Sequence, residues 1–151
     1  MRNYRDLQVS KKAHHLTLEL YRISQRFPRE EIYGITGQLR RAAVSIGANL
    51  AEGCGRRASG ELARFVRIAM GPASELDYHL LLCRDLGFMA ADEFARASAA
   101  LIEVRKMLTS FLNSVEEQIE TIQSGRRIVK TARIAVETEN LWSYYAGGCS
   151  C

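Results

Sequence analysis

Proline is nearly absent from this 151-residue chain, which has only Pro28 and Pro72, and no stretch alternates apolar with polar residues long enough to mark a strand. A sandwich or barrel, which needs many short strands joined by turns, is therefore not expected. Long apolar runs are also missing. No segment reaches the roughly 18 apolar residues of a membrane helix, and the start, Met1-Arg2-Asn3-Tyr4-Arg5-Asp6, turns polar with no apolar run behind it. No signal peptide is read there, and a cytoplasmic protein is expected. The four cysteines are too few and too unevenly placed for a disulfide scaffold, so reduced thiols are expected. Cys54 falls in a turn and Cys83 on an apolar seam. Cys149 and Cys151 flank one serine near the end, with no further metal ligands close by.

Catalytic constellations are equally scarce. A two-metal helical bundle needs Glu-x-x-His on each of two helices. Here His14 and His15 have Lys11 and Lys12 three positions upstream, while His79 has Leu76 there and Glu75 four away. The histidines are read as surface or bundle-edge residues. Gly53-Cys54-Gly55-Arg56-Arg57-Ala58 superficially matches a glycine-rich dinucleotide fingerprint, but a helix precedes it where that motif needs a strand. No serine, histidine and acid set stands out. The expectation is a protein that is not an enzyme and carries no metal or cofactor.

What the sequence does have is helical periodicity. A composition of 47% apolar and 25% charged residues is that of one ordinary globular domain. Val9, Ala13, Leu16, Leu20, Ile23 and Phe27 form one stripe and predict a first helix from about residue 6 to residue 26. Pro28 ends it. Thr36 is a plausible N-cap for a second helix with Leu39, Ala42, Ala43, Ile46 and Leu50 inside, stopped by Gly53 and Gly55. Ser59 caps a third, whose stripe is Leu62, Phe65, Ala69, Pro72, Leu76, Leu80 and Cys83, kinked near Pro72 and ended by Gly87. A fourth starts near Asp92 with Phe94, Ala97, Leu101, Val104, Leu108, Phe111 and Val115 inside and Ile122 in phase. The fold class is all-α, an up-down-up-down four-helix bundle over residues 1–122. Residues 123–151 form a C-terminal extension, read either as a frayed tail or as a docking segment. Within it Ile128, Ala132 and Ala135 suggest a short helix, Leu141 to Tyr145 an aromatic cluster, and Gly147-Gly148 a loose end.

The net charge of +4 conceals an uneven distribution. Residues 1–37 carry +3 and residues 38–67 carry +4, whereas residues 68–124 carry −5 and residues 125–151 carry +2. A basic half can attract polyanions, and it can equally be a solvated face. Arg56, Arg57 and the free amides opening the third helix suit a phosphate, or simply make a helix end and a solvated turn. Arg40 and Arg41 point about 100° apart on a helix, so one of them is expected to pair with an acid such as Glu75.

The densest stretch is Gln38-Leu39-Arg40-Arg41-Ala42-Ala43-Val44-Ser45-Ile46-Gly47-Ala48-Asn49-Leu50-Ala51-Glu52-Gly53. Small residues at 42, 43, 47, 48 and 51 would let a neighbouring helix approach, within the bundle or between subunits. Ser45 and Asn49 stand one turn apart, able to share hydrogen bonds. This stretch resembles the signature of the four-helix-bundle family of proteins encoded in intervening sequences of bacterial 23S ribosomal RNA genes. The resemblance continues through Phe27-Pro28, Glu31-Ile32-Tyr33-Gly34, Gly55-Arg56, Arg64-Phe65, Ile68-Ala69, Gly71, Glu75-Leu76 and Asp85-Leu86-Gly87, over about residues 4–115. Pro72 departs from it, standing where the family usually has a small polar residue.

The resemblance implies a compact protomer that assembles into a ring-like homopentamer. A related branch is the accessory variability determinant of diversity-generating retroelements, a basic pentamer that binds reverse transcriptase. The expectation is thus a non-enzymatic oligomeric binding module that contacts RNA, a ribonucleoprotein or a reverse transcriptase. The contacts would be made to phosphates by Arg40, Arg41, Arg56, Arg57, Arg64 and Arg67, with Lys11 and Lys12 as secondary candidates. The competing expectation is a structural or protein-interaction oligomer whose arginines pair with the acidic residues of 68–124 across subunits.

Overall fold

The computed structural model describes the backbone of residues 3–146 and the side chains of residues 3–125. The described residues form four helices and no strand: α1 (Gln8–Ile23), α2 (Ile35–Gly55), α3 (Ser59–Asp85) and α4 (Ala91–Ala146). Single 3-10 turns at Tyr4–Asp6 and Ser24–Arg26 flank α1, and a third, Arg29–Glu31, follows Pro28. By its contacts the chain divides into two units, Met1–Val115 and Glu116–Cys151.

In the first unit the stripes read from spacing are the core. Every α1 stripe position from Val9 to Phe27 is buried, as are the α2 stripe positions Leu39, Ala42, Ala43, Ile46 and Leu50. On α4, Ala97, Leu101, Val104, Leu108 and Val115 are buried likewise, while Phe111 sits at the edge and Leu112 takes the inner place. α2 packs against both α1 and α3. Its closest approaches use small residues. The Thr17 hydroxyl donates to the Ala13 carbonyl at 2.8 Å and lies 3.2 Å from the Ala43 carbonyl of α2.

Several local expectations are corrected. Thr36 is not the α2 cap: it is buried in the first turn, and the Glu31 carboxylate instead accepts from the Ile35 amide at 3.1 Å. Ser59 is the first residue of α3 rather than its cap, which is Ala58. Gly53 does not stop α2 but lies inside it, where a methyl group would fall 2.8 Å from Phe65 Cβ and 3.2 Å from Leu62 Cδ1. That approach lifts Phe65 to the edge of the core and turns Ala63, Val66 and Ala73 inward with Ala69 and Leu76. Pro72 is half-buried inside a helix that continues through it. It leaves the carbonyl of the exposed Ile68 without its usual intrahelical donor, at a position water can reach.

Gly87 does end α3, with φ +75. The Phe88 amide donates to the Cys83 carbonyl and the Gly87 amide to that of Arg84, both at 2.9 Å, the paired bonds of a glycine-closed helix end. Phe88 then stacks on Phe27, joining the two loops.

α4 runs on through Ser124-Gly125 to Ala146, so the backbone of the stretch in which a short helix was suggested is part of α4. In the second unit Ile119 is half-buried and Ile122 is 50% exposed, so Ile122 does not continue the core seam. The side chains of Ile128, Ala132, Ala135 and Leu141 to Tyr145 lie outside the described residues, as do Gly147, Gly148, Cys149 and Cys151.

The contact at Gly53 makes a stability prediction. Gly53→Val overpacks the α2–α3 crossing and should cost about 1–3 kcal/mol, read as a lower urea midpoint. Gly55→Ala, whose added methyl group meets nothing within 4 Å, should leave the midpoint unchanged or raise it.

Candidate functional site

The six arginines singled out from the sequence do not converge on one point. Arg40 and Arg41 lie in the second turn of α2, whereas Arg56 and Arg57 follow its C-terminus. Sixteen residues separate each pair, about 24 Å at helical rise. Arg64 and Arg67 stand three apart near the start of α3, on the same side of that helix as one another.

The two groups differ in what their charges already hold. Arg40 is half-buried: its Nε donates to Ser24 Oγ at 2.8 Å and its guanidinium lies over the Tyr21 ring at 4.9 Å. It therefore clamps the end of α1 to α2. The expected partner Glu75 is instead 3.3 Å from His79 Nε2, one turn away on α3. Arg41 is exposed and makes no ion pair or hydrogen bond among the described residues. Lys12 reaches Glu103 on α4 at 3.0 Å, while Lys11 is exposed on α1.

At the other end of α2, Arg56 pairs with Glu52 and covers the Phe65 ring at 5.3 Å. Arg64 lies 3.8 Å from Glu61. Arg57 is exposed and has no partner among the described residues, and Arg67 is exposed on α3. The turn Arg56–Ala58 leads directly into α3, whose N-terminus no side chain caps. The Ala58 carbonyl accepts from the Glu61 and Leu62 amides, which leaves the amides of Ser59 and Gly60 as the first outward donors. Two cationic side chains beside uncapped amides at the positive end of a helix dipole suit a phosphate oxygen. No cluster of three or more His, Cys, Asp or Glu suited to a metal ion occurs among the described residues.

A second feature was not singled out from the sequence: a groove of about 680 Å³ between α1 and α2. Leu18, Tyr21, Val44, Gly47, Ala48 and Ala51 line it, with Arg5, Lys11 and His14 at its rim. The signal was present as a second helical stripe. Val44, Gly47, Ala48 and Ala51 follow the spacing of one helix face, as do His14, Leu18 and Tyr21. The small residues had pointed to a tight contact, and Asn49 Nδ2 does donate to the Ser45 carbonyl at 2.8 Å on the neighbouring face.

Elsewhere, charges tie α4 to its neighbours. Arg96 bridges Glu19 of α1 and Asp92 of its own helix, and its guanidinium holds the Asp92 carboxyl below the usual range. Arg105 reaches Asp77 of α3 at 3.3 Å. Burial, with a smaller contribution from Glu31, pushes the Cys83 thiol from an ordinary 9.0 up to about 11.

Two measurements follow. Because the native state keeps the Cys83 proton that the unfolded chain releases, stability should fall as pH rises from 9.0 to about 11. Cys83→Ala should flatten the urea midpoint across that window, and an unchanged slope would contradict the assignment. Arg40→Ala, which loses the Ser24 bond and the Tyr21 stacking, should lower stability by about 1–2 kcal/mol, read by thermal or urea unfolding.

No curated protein matches this chain. The family described as 23S rRNA-intervening sequence protein matches residues 5–110. Among solved structures, a protein of unknown function from the S23 ribosomal protein family of Bacteroides thetaiotaomicron is 21% identical, with a TM-score of 0.64. That likeness covers 70% of this chain and 95% of the other, and it concerns the fold alone. With 106 consecutive residues matched by the family pattern, from 5 to 110, the chain belongs to the 23S rRNA-intervening sequence protein family.

Proposed function

We propose that this protein is a non-enzymatic, oligomeric binding module of the cytoplasm that contacts RNA, alone or in a ribonucleoprotein, through phosphate-binding arginines at the α2–α3 turn. The observation that carries the reading is the placing of Arg56, and of Arg57 with no partner among the described residues, beside an uncapped α3 N-terminus. The family's description, which concerns ribosomal RNA, supports an RNA-linked partner; a reverse transcriptase is the other partner the family resemblance suggests. Arg41, Arg64 and Arg67 extend the basic surface, while Arg40 serves the fold.

The protomer is proposed to run up-down-up-down and to assemble as a ring of five. The order of side-chain contacts supports the first part. From Lys12 to Glu19 along α1 and on to Arg26 in the turn that follows it, the α4 partners fall from Glu103 to Arg96 to Glu93. The groove between α1 and α2 supports the second, because a surface of that apolar character is a natural place for another subunit.

One observation favours a second reading, an assembly protein with no nucleic-acid role: Arg40, Arg56 and Arg64 all have partners inside the protomer. Filter binding of single-stranded RNA over a salt series separates the two. Replacing Arg56→Ala together with Arg57→Ala should reduce the slope of log affinity against log salt by about 1–2, since each lost phosphate contact is worth about 0.7 on a single strand. Arg40→Ala should leave the slope as it is. No binding at low salt, or an unchanged slope in the double variant, would remove this site.

A further inference from the structure

Two surfaces of this chain complement each other. The first is the α1/α2 groove. Its apolar side chains are open to solvent, with Leu18 and Tyr21 each 40% and Val44 45% exposed, and a side chain at Gly47 would meet no atom within 4 Å. The residues that line it include Arg5, Lys11 and His14 but no acid. The second is the part of α4 that begins the second unit. Ile119 and Ile122 stand three apart and make an apolar ridge, and Ile122 is 50% exposed. Residues 116–125 carry Glu116, Glu117 and Glu120 and no basic residue, and Glu120 is exposed.

We infer that α4 of a second copy lays this ridge into the groove. Ile119 and Ile122 contact Leu18, Val44 and Ala48, and Glu120 lies toward Lys11 and Arg5. Each feature of the groove has a counterpart on the ridge. Gly47, Ala48 and Ala51 let a helix come close, as a floor of large side chains would not. The apolar part of the lining suits isoleucines. The basic rim faces an acidic helix, which orients the contact and speeds encounter. Because groove and ridge are different patches of the same chain, the contact is heterologous and generates a ring when its rotation closes. The inference rests on the ring reading above and names the surfaces that would make the ring.

The test is sedimentation of the full chain over a concentration series. Ala48→Arg, which fills the groove floor, and Ile122→Asp, which spoils the ridge, should each weaken association at least about tenfold, as expected of a central interface position. Lys11→Glu and Glu120→Lys should each weaken it, and the two together should restore it. Circular dichroism checks that each variant is folded. A second measurement does not depend on disrupting anything: Ala48→Cys with Ile119→Cys, in a chain carrying Cys149→Ser and Cys151→Ser, should form a disulfide between chains on mild oxidation. If the parent assembles and neither Ala48→Arg nor Ile122→Asp weakens it, this contact falls and the ring stands. A parent that stays monomeric overturns both, and a disulfide formed only within one chain overturns the contact.

Discussion

Close packing against both sides of α2 is the constraint on which the bundle depends. Its inner face, Leu39 to Leu50, is almost wholly removed from water, and fully burying a side chain of that size is worth about 1.5–3 kcal/mol. Such burial requires α1 and α3 to come near at once. Ala13 and Ala43 permit it on one side, with Thr17 bridging the two helices, and Gly53 permits it on the other. The same constraint shapes the surface. Phe65 is displaced to the edge at the Gly53 crossing and becomes the platform over which Arg56 lies. The candidate phosphate site is thus a by-product of how tightly two helices cross.

Charge is distributed so that some of it stabilises the protomer and some is left over. Arg96, Arg105 and Lys12 connect helices through ion pairs that are mostly exposed and each worth little, about 0–1 kcal/mol, while the half-buried Arg40 ties α1 to α2 through Ser24 and Tyr21. Arg41 and Arg57 have no such task among the described residues. A basic half in which part of the charge is uncommitted is the physical basis for a polyanion partner. The acidic start of the second unit is the basis for the proposed assembly instead.

The helices and their buried faces were legible in the sequence because apolar spacing of three and four is dictated by the same geometry that buries them. Leu16, Leu20, Ile46 and Leu101 are read correctly from spacing alone. What was not legible depended on neighbours. Thr36 has the chemistry of a cap but sits two residues past the cap position, and the long Glu31 side chain reaches the amide from outside. Gly53 looks like a stop signal because glycine ends helices, yet here it serves an approach that only the position of Phe65 makes visible. The arginines were found by type, but their division into a structural Arg40 and a solvent-facing Arg57 turns on the placement of Ser24 and Tyr21, which engage Arg40. The groove was present as a second stripe whose small residues carry little hydrophobic signal.

The central claim is that this bundle is an assembling module whose basic surface takes RNA. Sedimentation velocity of the full chain at low and high salt, with and without single-stranded RNA, tests it most directly. The account predicts an oligomer that gains mass with RNA at low salt and loses that RNA as salt rises. An oligomer that ignores RNA at every salt concentration, or a chain that stays monomeric throughout, would contradict it.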